Sequence, residues 1–167
     1  MKLDRLRRYY YLRFIRLKGE PYELALGMAF GIFSGMMPII PFHTAVAVAL
    51  AFFFKTSKIT AAIGVWISNP FNWYILYYLN YRIGAFILGL SGNDRGFSLL
   101  MKSIRNAGEG MTLITHFAGV SGTIMAAFII GGLIMGVIAA VPSYFVFLKI
   151  FGLIRTLRKG MKELKGR

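Results

Sequence analysis

Two breaks in uncharged sequence carry the residues with the clearest potential for chemistry. The first contains Pro38 and Pro41 and leads into His43 and Thr44; the second is the stretch 68–72, Ser-Asn-Pro-Phe-Asn. Proline is favoured at the first position of a helix, and Ser or Asn at the N-cap. We therefore predict that new helices begin near 42–44 and near 69–70. The unpaired N–H groups of a helix start favour anions, so the pattern indicates an oxyanion site.

Nearby side chains add to this predicted anion site. His43, Thr44 and Asn72 supply donors, and Arg82, about three turns after Asn69, supplies a full positive charge. Ordinary structural roles are the alternative: His43 bonds a neighbouring carbonyl, and Arg82 extends to a membrane interface. An interfacial aromatic belt would likewise explain the nearby aromatic residues Trp66, Trp73, Tyr74, Tyr77 and Tyr78. Together with the breaks, the candidate binding residues are Pro38, Pro41, His43, Thr44, Ser68, Asn69, Pro70, Asn72 and Arg82.

The composition argues against an enzyme. No carboxylate occurs between Glu23 and Asp94, the chain has no cysteine, and its two histidines are far apart in sequence. No Gly-rich loop is followed by Lys-Ser or Lys-Thr, as phosphate-binding loops require. General acid/base catalysis and metal ligation lack the residues they usually need. We expect no catalytic residues, no metal and no cofactor.

The first uncharged segment, 24–54, is too interrupted to be one straight membrane-spanning helix. Crossing a bilayer takes about 20 apolar residues, whereas each arm of this segment has roughly a dozen and reaches about 18 Å. Irregular backbone inside a membrane persists only where protein or a water-filled cavity satisfies it. We predict a re-entrant hairpin with arms near 24–36 and 43–54 and a turn at 37–42.

The remaining segments complete an all-α integral membrane protein, which we treat as a single domain, 1–167. Phe117 to Leu148 is uncharged and longer than one crossing needs, with Pro142 late in it. A tilted helix fits this length; a second hairpin would require another crossing elsewhere. Around the hairpin we predict a basic amphipathic interfacial helix at 1–19, a broken transmembrane helix at 59–92, an amphipathic connector at 93–116, a transmembrane segment at 117–151 and a basic tail at 152–167.

Positive charge is concentrated at the two ends of the chain. The net charge is +14, and Lys and Arg cluster in the first 18 and the last 13 residues. The positive-inside rule then places both termini in the cytoplasm and predicts an even number of crossings of the bacterial inner membrane. Basic clusters beside apolar spans indicate anionic lipid rather than nucleic acid as the partner. Because so few helices cannot easily enclose a cavity, we also expect a homo-oligomer.

Two motifs carry a family resemblance over about residues 20–150. Gly31-Ile-Phe-Ser-Gly35-Met-Met-Pro38, followed by His43-Thr44, precedes Gly64-Val-Trp66-Ile-Ser-Asn69-Pro70. This pair resembles a bacterial membrane family catalogued as a domain of unknown function. That family is distantly similar to the DedA superfamily, also called the VTT or SNARE-associated group. The resemblance implies re-entrant hairpins, lipid movement between leaflets, and a place for Gly35 among the site residues.

The chain departs from the resembled pattern at several positions. Pro41 stands where the family pattern leads us to expect Gly, and Asn72 where it leads us to expect Thr. The transporting DedA proteins also carry membrane-embedded acidic residues that could couple movement to protons, and the uncharged core here has none. If lipid moves, we expect either an uncoupled flip or a different coupling site.

These observations give a hypothesis and one alternative. The hypothesis is a small inner-membrane protein that binds or translocates a phospholipid or polyprenyl phosphate at membrane-embedded helix starts. The alternative is a membrane scaffold that anchors a peripheral enzyme of envelope or polysaccharide synthesis through its basic termini. An ion or small-solute channel is less favoured, because the sequence offers few charged residues to line a pore.

Overall fold

The structure, a computed structural model, describes residues 19–39, 42–67, 72–90, 97–98 and 122–165. These residues form α-helices and no strand, so the all-α class is confirmed for this part of the chain. The helices are α1 (Pro21–Met36), α2 (His43–Phe53), α3 (Lys58–Gly64), α4 (Trp73–Ile87) and α5 (Gly122–Lys165), with a 3-10 turn, Val65–Ile67, directly after α3. The helix predicted at 1–19 lies outside the described residues except for Gly19, as does the predicted connector at 93–116 except for Phe97 and Ser98.

α1 and α2 form a helical hairpin. α1 begins with Pro21 at its first position, where proline is favoured, and the backbone N–H of Glu20 donates to Oε2 of Glu23 at 3.1 Å. After α2 the chain returns to this same end, where the Ser57 backbone N–H donates to the Glu23 carbonyl oxygen at 3.3 Å. We call this end of the molecule the base, and the turn at 37–42 the tip. The helix bounds lie close to the predicted arms, although α1 starts three residues earlier.

α3 packs beside α1 at backbone distance. A Cβ placed on Gly27 would lie 2.4 Å from the carbonyl oxygen of Ser57, and one on Gly31 would lie 2.2 Å from that of Ala61. Only glycine allows backbones to approach this closely without a clash. α1 and α3 therefore run side by side in the same direction, away from the base.

α5 is the long helix against which α1 and α4 pack. Its 44 residues give it a length of about 66 Å. A Cβ on Gly131 would lie 1.7 Å from the Asn80 carbonyl oxygen, and a Cβ on Gly84 would lie 1.7 Å from that of Ala127. These two contacts show that α4 and α5 are antiparallel. Near the tip, a Cβ on Gly132 would lie 2.9 Å from Cδ of Pro38.

The continuity of α5 decides whether its residues form one helix or a second hairpin. Pro142 is inside the helix and does not end it. The Ser143 hydroxyl donates to the Ala139 carbonyl oxygen at 2.6 Å in the turn that contains this proline. Residues 122–165 are therefore one helix and not a second hairpin. The boundary predicted at 151/152 between a transmembrane segment and a basic tail falls within this helix.

At the base, an ion pair joins the start of α1 to α5. Nη1 of Arg155 donates to Oε2 of Glu20, and Nη2 donates to Oε1 at 2.9 Å. Above this bidentate pair, Leu24, Met28 and Ile32 of α1 pack in a buried cluster with Phe151 of α5. The ion pair and this apolar cluster together align α1 with α5.

We predict that Gly131→Ala and Gly84→Ala each lower the stability of the purified protein in detergent by about 1–3 kcal/mol, because the added methyl group would force the α4 and α5 backbones apart. The matched control is Gly152→Ala in α5, since a Cβ there meets nothing within 4 Å. Thermal unfolding of the three variants measures the effect. Equal midpoints for Gly131→Ala and Gly152→Ala would contradict the close contact.

For the basal ion pair, we predict a coupling free energy between Glu20 and Arg155 of up to about 1 kcal/mol, because the pair is bidentate but half-exposed. A double-mutant cycle with Glu20→Gln, Arg155→Gln and the double variant measures this coupling through unfolding midpoints. The coupling should shrink as salt concentration rises. Strictly additive effects at low salt would show that the pair contributes nothing to stability.

Candidate functional site

The tip brings several of the predicted residues together. Gly35 is buried at the end of α1, and Pro38 is half-buried beside Gly132 of α5. Across the turn, the buried Ser34 hydroxyl donates to the His43 carbonyl oxygen at 2.5 Å. This bond ties the last turn of α1 to the first turn of α2. Pro41, also predicted here, lies outside the described residues.

α2 begins at His43, within the range predicted from the sequence. Phe42 occupies its N-cap and makes no side-chain capping bond. The half-buried His43 side chain is hydrogen-bonded to the backbone of Ile39, which is the ordinary structural role that the sequence also allowed. Thr44 is exposed in the first turn. The start of α2 thus offers its backbone N–H groups together with the Thr44 hydroxyl.

The second predicted helix start is displaced along the chain. α4 begins at Trp73 with Asn72 at its N-cap, three residues after the start expected at 69–70. Ser68, Asn69 and Pro70 lie outside the described residues. Asn80 of α4 lies at the height of the tip, where it contacts Met36. Trp73 precedes Asn80 by seven residues and therefore lies about 10 Å closer to the base.

Arg82 lies at the height of the tip but faces outward. It follows Asn80 by two positions, about 200° around the helix, and is exposed while Asn80 is buried. Its guanidinium carbon lies 5.9 Å from the centre of the Tyr78 ring. The α4 face that contacts the hairpin therefore does not include Arg82.

The other charged side chains that the structure describes lie at a different height from Arg82. Among residues whose side chains the structure describes, all other charged groups lie toward the base: Glu20, Glu23, Lys55, Lys58, Lys149, Arg155 and Arg158. Lys58 stacks on the ring of Phe52 with its Nζ 4.6 Å from the ring centre, a contact of the same type as that between Arg82 and Tyr78. One cation thus stands at tip height, apart from a basic base.

Asn80 is a site residue that sequence reasoning missed. Its side chain is fully buried, and Nδ2 donates to the Met36 carbonyl oxygen at 2.7 Å. The available signal was its place among apolar and aromatic residues, at helical spacing from Tyr77 and Gly84. Asn80 makes a polar contact between α4 and the end of α1.

Large apolar side chains are exposed around the outside of the fold. Phe52, Phe53, Trp66 and Phe86 are 69%, 81%, 80% and 86% exposed, respectively. Within the described residues, one helix is long and apolar enough to cross a membrane, Gly122–Arg158, and His43–Phe53 is a shorter apolar helix. The same residues contain no group of three or more His, Cys, Asp or Glu that could hold a metal ion.

Comparison with known proteins gives a family and no described activity. No curated protein and no solved structure matches the chain. A family model described as an uncharacterized protein conserved in bacteria, DUF2062, matches residues 4–159. This match covers both motif regions, the hairpin and most of α5. The chain therefore belongs to this family of uncharacterized bacterial proteins.

Proposed function

We propose that this protein is a multi-pass protein of the bacterial inner membrane that binds a phosphate-bearing lipid and moves its head group across the bilayer. The lipid is a phospholipid or a polyprenyl phosphate. The observation that carries the proposal is Arg82, an exposed cation at the height of the uncharged tip, while the other described charges lie toward the base. The head group would bind on the outer face of α4, beside Arg82 and Tyr78.

Support for a membrane location comes from the outer surface. Apolar side chains cover the exposed faces of α2, α4 and α5, and soluble monomers rarely expose such continuous apolar area. The base carries Lys55, Lys58, Arg155 and Arg158, which suit a cytoplasmic interface rich in anionic lipid. In this arrangement the base faces the cytoplasm.

Support for a re-entrant hairpin comes from the length of α1. This helix runs from the base to the tip in 16 residues, or about 24 Å, which is less than the roughly 30 Å of the hydrocarbon layer. α5 continues for about 15 Å beyond its contact with the tip, from Gly132 to Gly122. With the base at the cytoplasmic interface, the tip would end inside the hydrocarbon layer, where irregular backbone marks a cavity or a substrate site.

Support for a phosphate ligand comes from the chemistry at this depth. The start of α2 at His43 lies at the tip and directs its N–H groups away from the base. The start of α4 at Trp73 lies about 10 Å nearer the base and directs its N–H groups toward the base. Arg82 adds the planar donor fork that phosphate oxygens accept. The resemblance to DedA proteins suggests that the lipid moves between leaflets. A homo-oligomer would provide the cavity that one chain is too small to enclose.

A second candidate function is a scaffold for a peripheral enzyme of envelope or polysaccharide synthesis. The observation that favours it is the last part of α5, which continues as helix for about 15 Å beyond Arg155. This part carries Lys and Arg residues that would lie in the cytoplasm. Co-purification of one specific partner, lost on removal of residues 156–167 and unchanged by Arg82→Ala, would favour the scaffold over lipid movement.

Single-cysteine variants test the topology, because the natural chain has no cysteine. We predict that Lys55→Cys and Arg158→Cys react with an impermeant thiol reagent only from the cytoplasmic side. Gly122→Cys, at the far end of α5, should react only from the opposite side. Labelling of intact cells and of inverted vesicles provides the measurement. Reaction of Lys55→Cys from the periplasmic side would exclude a re-entrant hairpin.

Lipid movement is tested with purified protein in liposomes containing a fluorescent phospholipid or polyprenyl phosphate. We predict protein-dependent exposure of label that falls at least about 10-fold in Arg82→Ala, as expected for the loss of charge-assisted hydrogen bonds. Lys58→Ala is the matched control, because it also removes an exposed cation stacked on an aromatic ring, but at the base. Its rate should stay within about twofold of the natural protein. No movement of any phosphate-bearing lipid by folded, inserted protein would refute the function.

A further inference from the structure

One buried oxygen atom near the end of α1 has no hydrogen-bond partner among the described residues. This atom is Oδ1 of the Asn80 side-chain amide. The orientation of this amide follows from its other atom, because Nδ2 donates to the Met36 carbonyl oxygen at 2.7 Å. Turning the amide over would bring two acceptors together. Oδ1 is therefore a buried hydrogen-bond acceptor that bulk water does not reach.

The surroundings of Oδ1 supply further acceptors and partial negative charge. The Met36 carbonyl oxygen keeps a second lone pair beside the one that Nδ2 occupies. It belongs to the last turn of α1, where the helix dipole places about half a negative charge. No acidic side chain lies at this height among the described residues, and Arg82 points to the opposite side of α4.

The distance between these two oxygens is compatible with contact to one small ion. Both amide atoms of Asn80 are bonded to one carbon, so Oδ1 lies within about 5 Å of the Met36 carbonyl oxygen. Ca²⁺, which is close to Na⁺ in size, binds oxygens at about 2.3–2.6 Å. α5 brings Gly131 and Gly132 to this point, and a Cβ on Gly132 would lie 3.4 Å from the Met36 oxygen.

We propose that Oδ1 of Asn80 and the carbonyl end of α1 bind a small monovalent metal cation of the Na⁺ type. Neutral oxygens alone suit a single charge, whereas Ca²⁺ sites use carboxylates. An anion is excluded, because both described ligand atoms are acceptors. Unwound backbone and the carbonyl ends of interrupted membrane helices are a general way of holding Na⁺.

The cation would also supply a means of energy coupling. This step rests on the proposed function, lipid movement. The chain has no carboxylate between Glu23 and Asp94 that could carry a proton through the uncharged core. A cation at the junction of α1, α4 and α5 would bind where the hairpin meets both other helices. Its entry or release could then change how the tip sits against Gly132.

The test begins with the natural protein in detergent at constant ionic strength. Thermal unfolding is measured in choline chloride and with increasing replacement of choline by Li⁺, Na⁺ or K⁺. We expect at least one of these metal ions to raise the midpoint in a saturable manner, by about 2–4 °C. Equal midpoints in all four chlorides would overturn the proposal and indicate that Oδ1 binds a trapped water only.

Two variants locate the effect within the fold. Asn80→Ala should abolish the cation-dependent shift, whereas Ser34→Ala should retain it. Ser34 is a fair control, because it is also a fully buried polar residue near the tip but bonds to α2 through the His43 carbonyl oxygen. A full shift in Asn80→Ala would overturn the site. If Asn80→Ala does not fold, the titration of the natural protein still decides between cation and water.

Liposome measurements separate this proposal from the proposed function. A cation-dependent midpoint without movement of any phosphate-bearing lipid would support the cation site and refute the function. Lipid movement that is equal in all four chlorides, with no change in midpoint, would refute the cation site and leave the function standing. Movement that depends on the same metal ion as the midpoint would support both.

Discussion

The fold depends on how closely other helices can approach α1. This helix packs against α2, α3 and α5 at once, and its backbone can approach α3 this closely only because the α1 residues facing α3 are small. Gly31 meets the backbone of α3, while Ala25 and Ile32 lie in the cluster shared with α5. In a bilayer, where lipid is as apolar as leucine, such close packing replaces the hydrophobic effect as the main attraction between helices. Small residues are therefore the structural requirement of this chain.

Close packing also determines where polar groups can be satisfied. The end of α1 reaches the middle of the helix assembly, so its last carbonyl groups cannot turn to water. The chain satisfies them locally: the Met37 backbone N–H donates to the Ser34 carbonyl oxygen at 3.1 Å, and Asn80 caps Met36 from another helix. The described residues of the tip are thus held by neutral hydrogen bonds. This explains how a turn can lie deep in the fold without a charged residue beside it.

Local features of the fold could be predicted from the sequence, and long-range ones could not. The ends of α1 and the start of α2 depend on nearby Pro21, Pro38 and His43, whose effects on the backbone act within a few residues. The class of fold and the position of the first turn follow from such signals. Pro142 shows the limit of this reasoning, since it is exposed on a long helix whose other bonds keep it continuous.

The candidate site was harder to predict, because the direction of each side chain depends on which face of its helix is buried. The spacing between Arg82 and the predicted helix start did not show which way Arg82 points. Contacts with α5 decide which face of α4 is buried. Those contacts bury Asn80 and turn Arg82 outward. Neither outcome can be read from spacing within α4 alone. Ser68, Asn69 and Pro70 contribute no structural observation, since they lie outside the described residues.

The length of α5 gives the molecule a mechanical property. It is a single stiff rod that begins beyond the tip, passes Gly132, is pinned to α1 by Arg155 and Glu20, and continues past the base. If this helix pivots about its contact with Glu20, it acts as a lever. A tilt of only 5° about the pin would shift Gly132 by about 3 Å, given the roughly 35 Å between them. Force applied to the exposed end of α5 would thus reach the tip without passing through any loop.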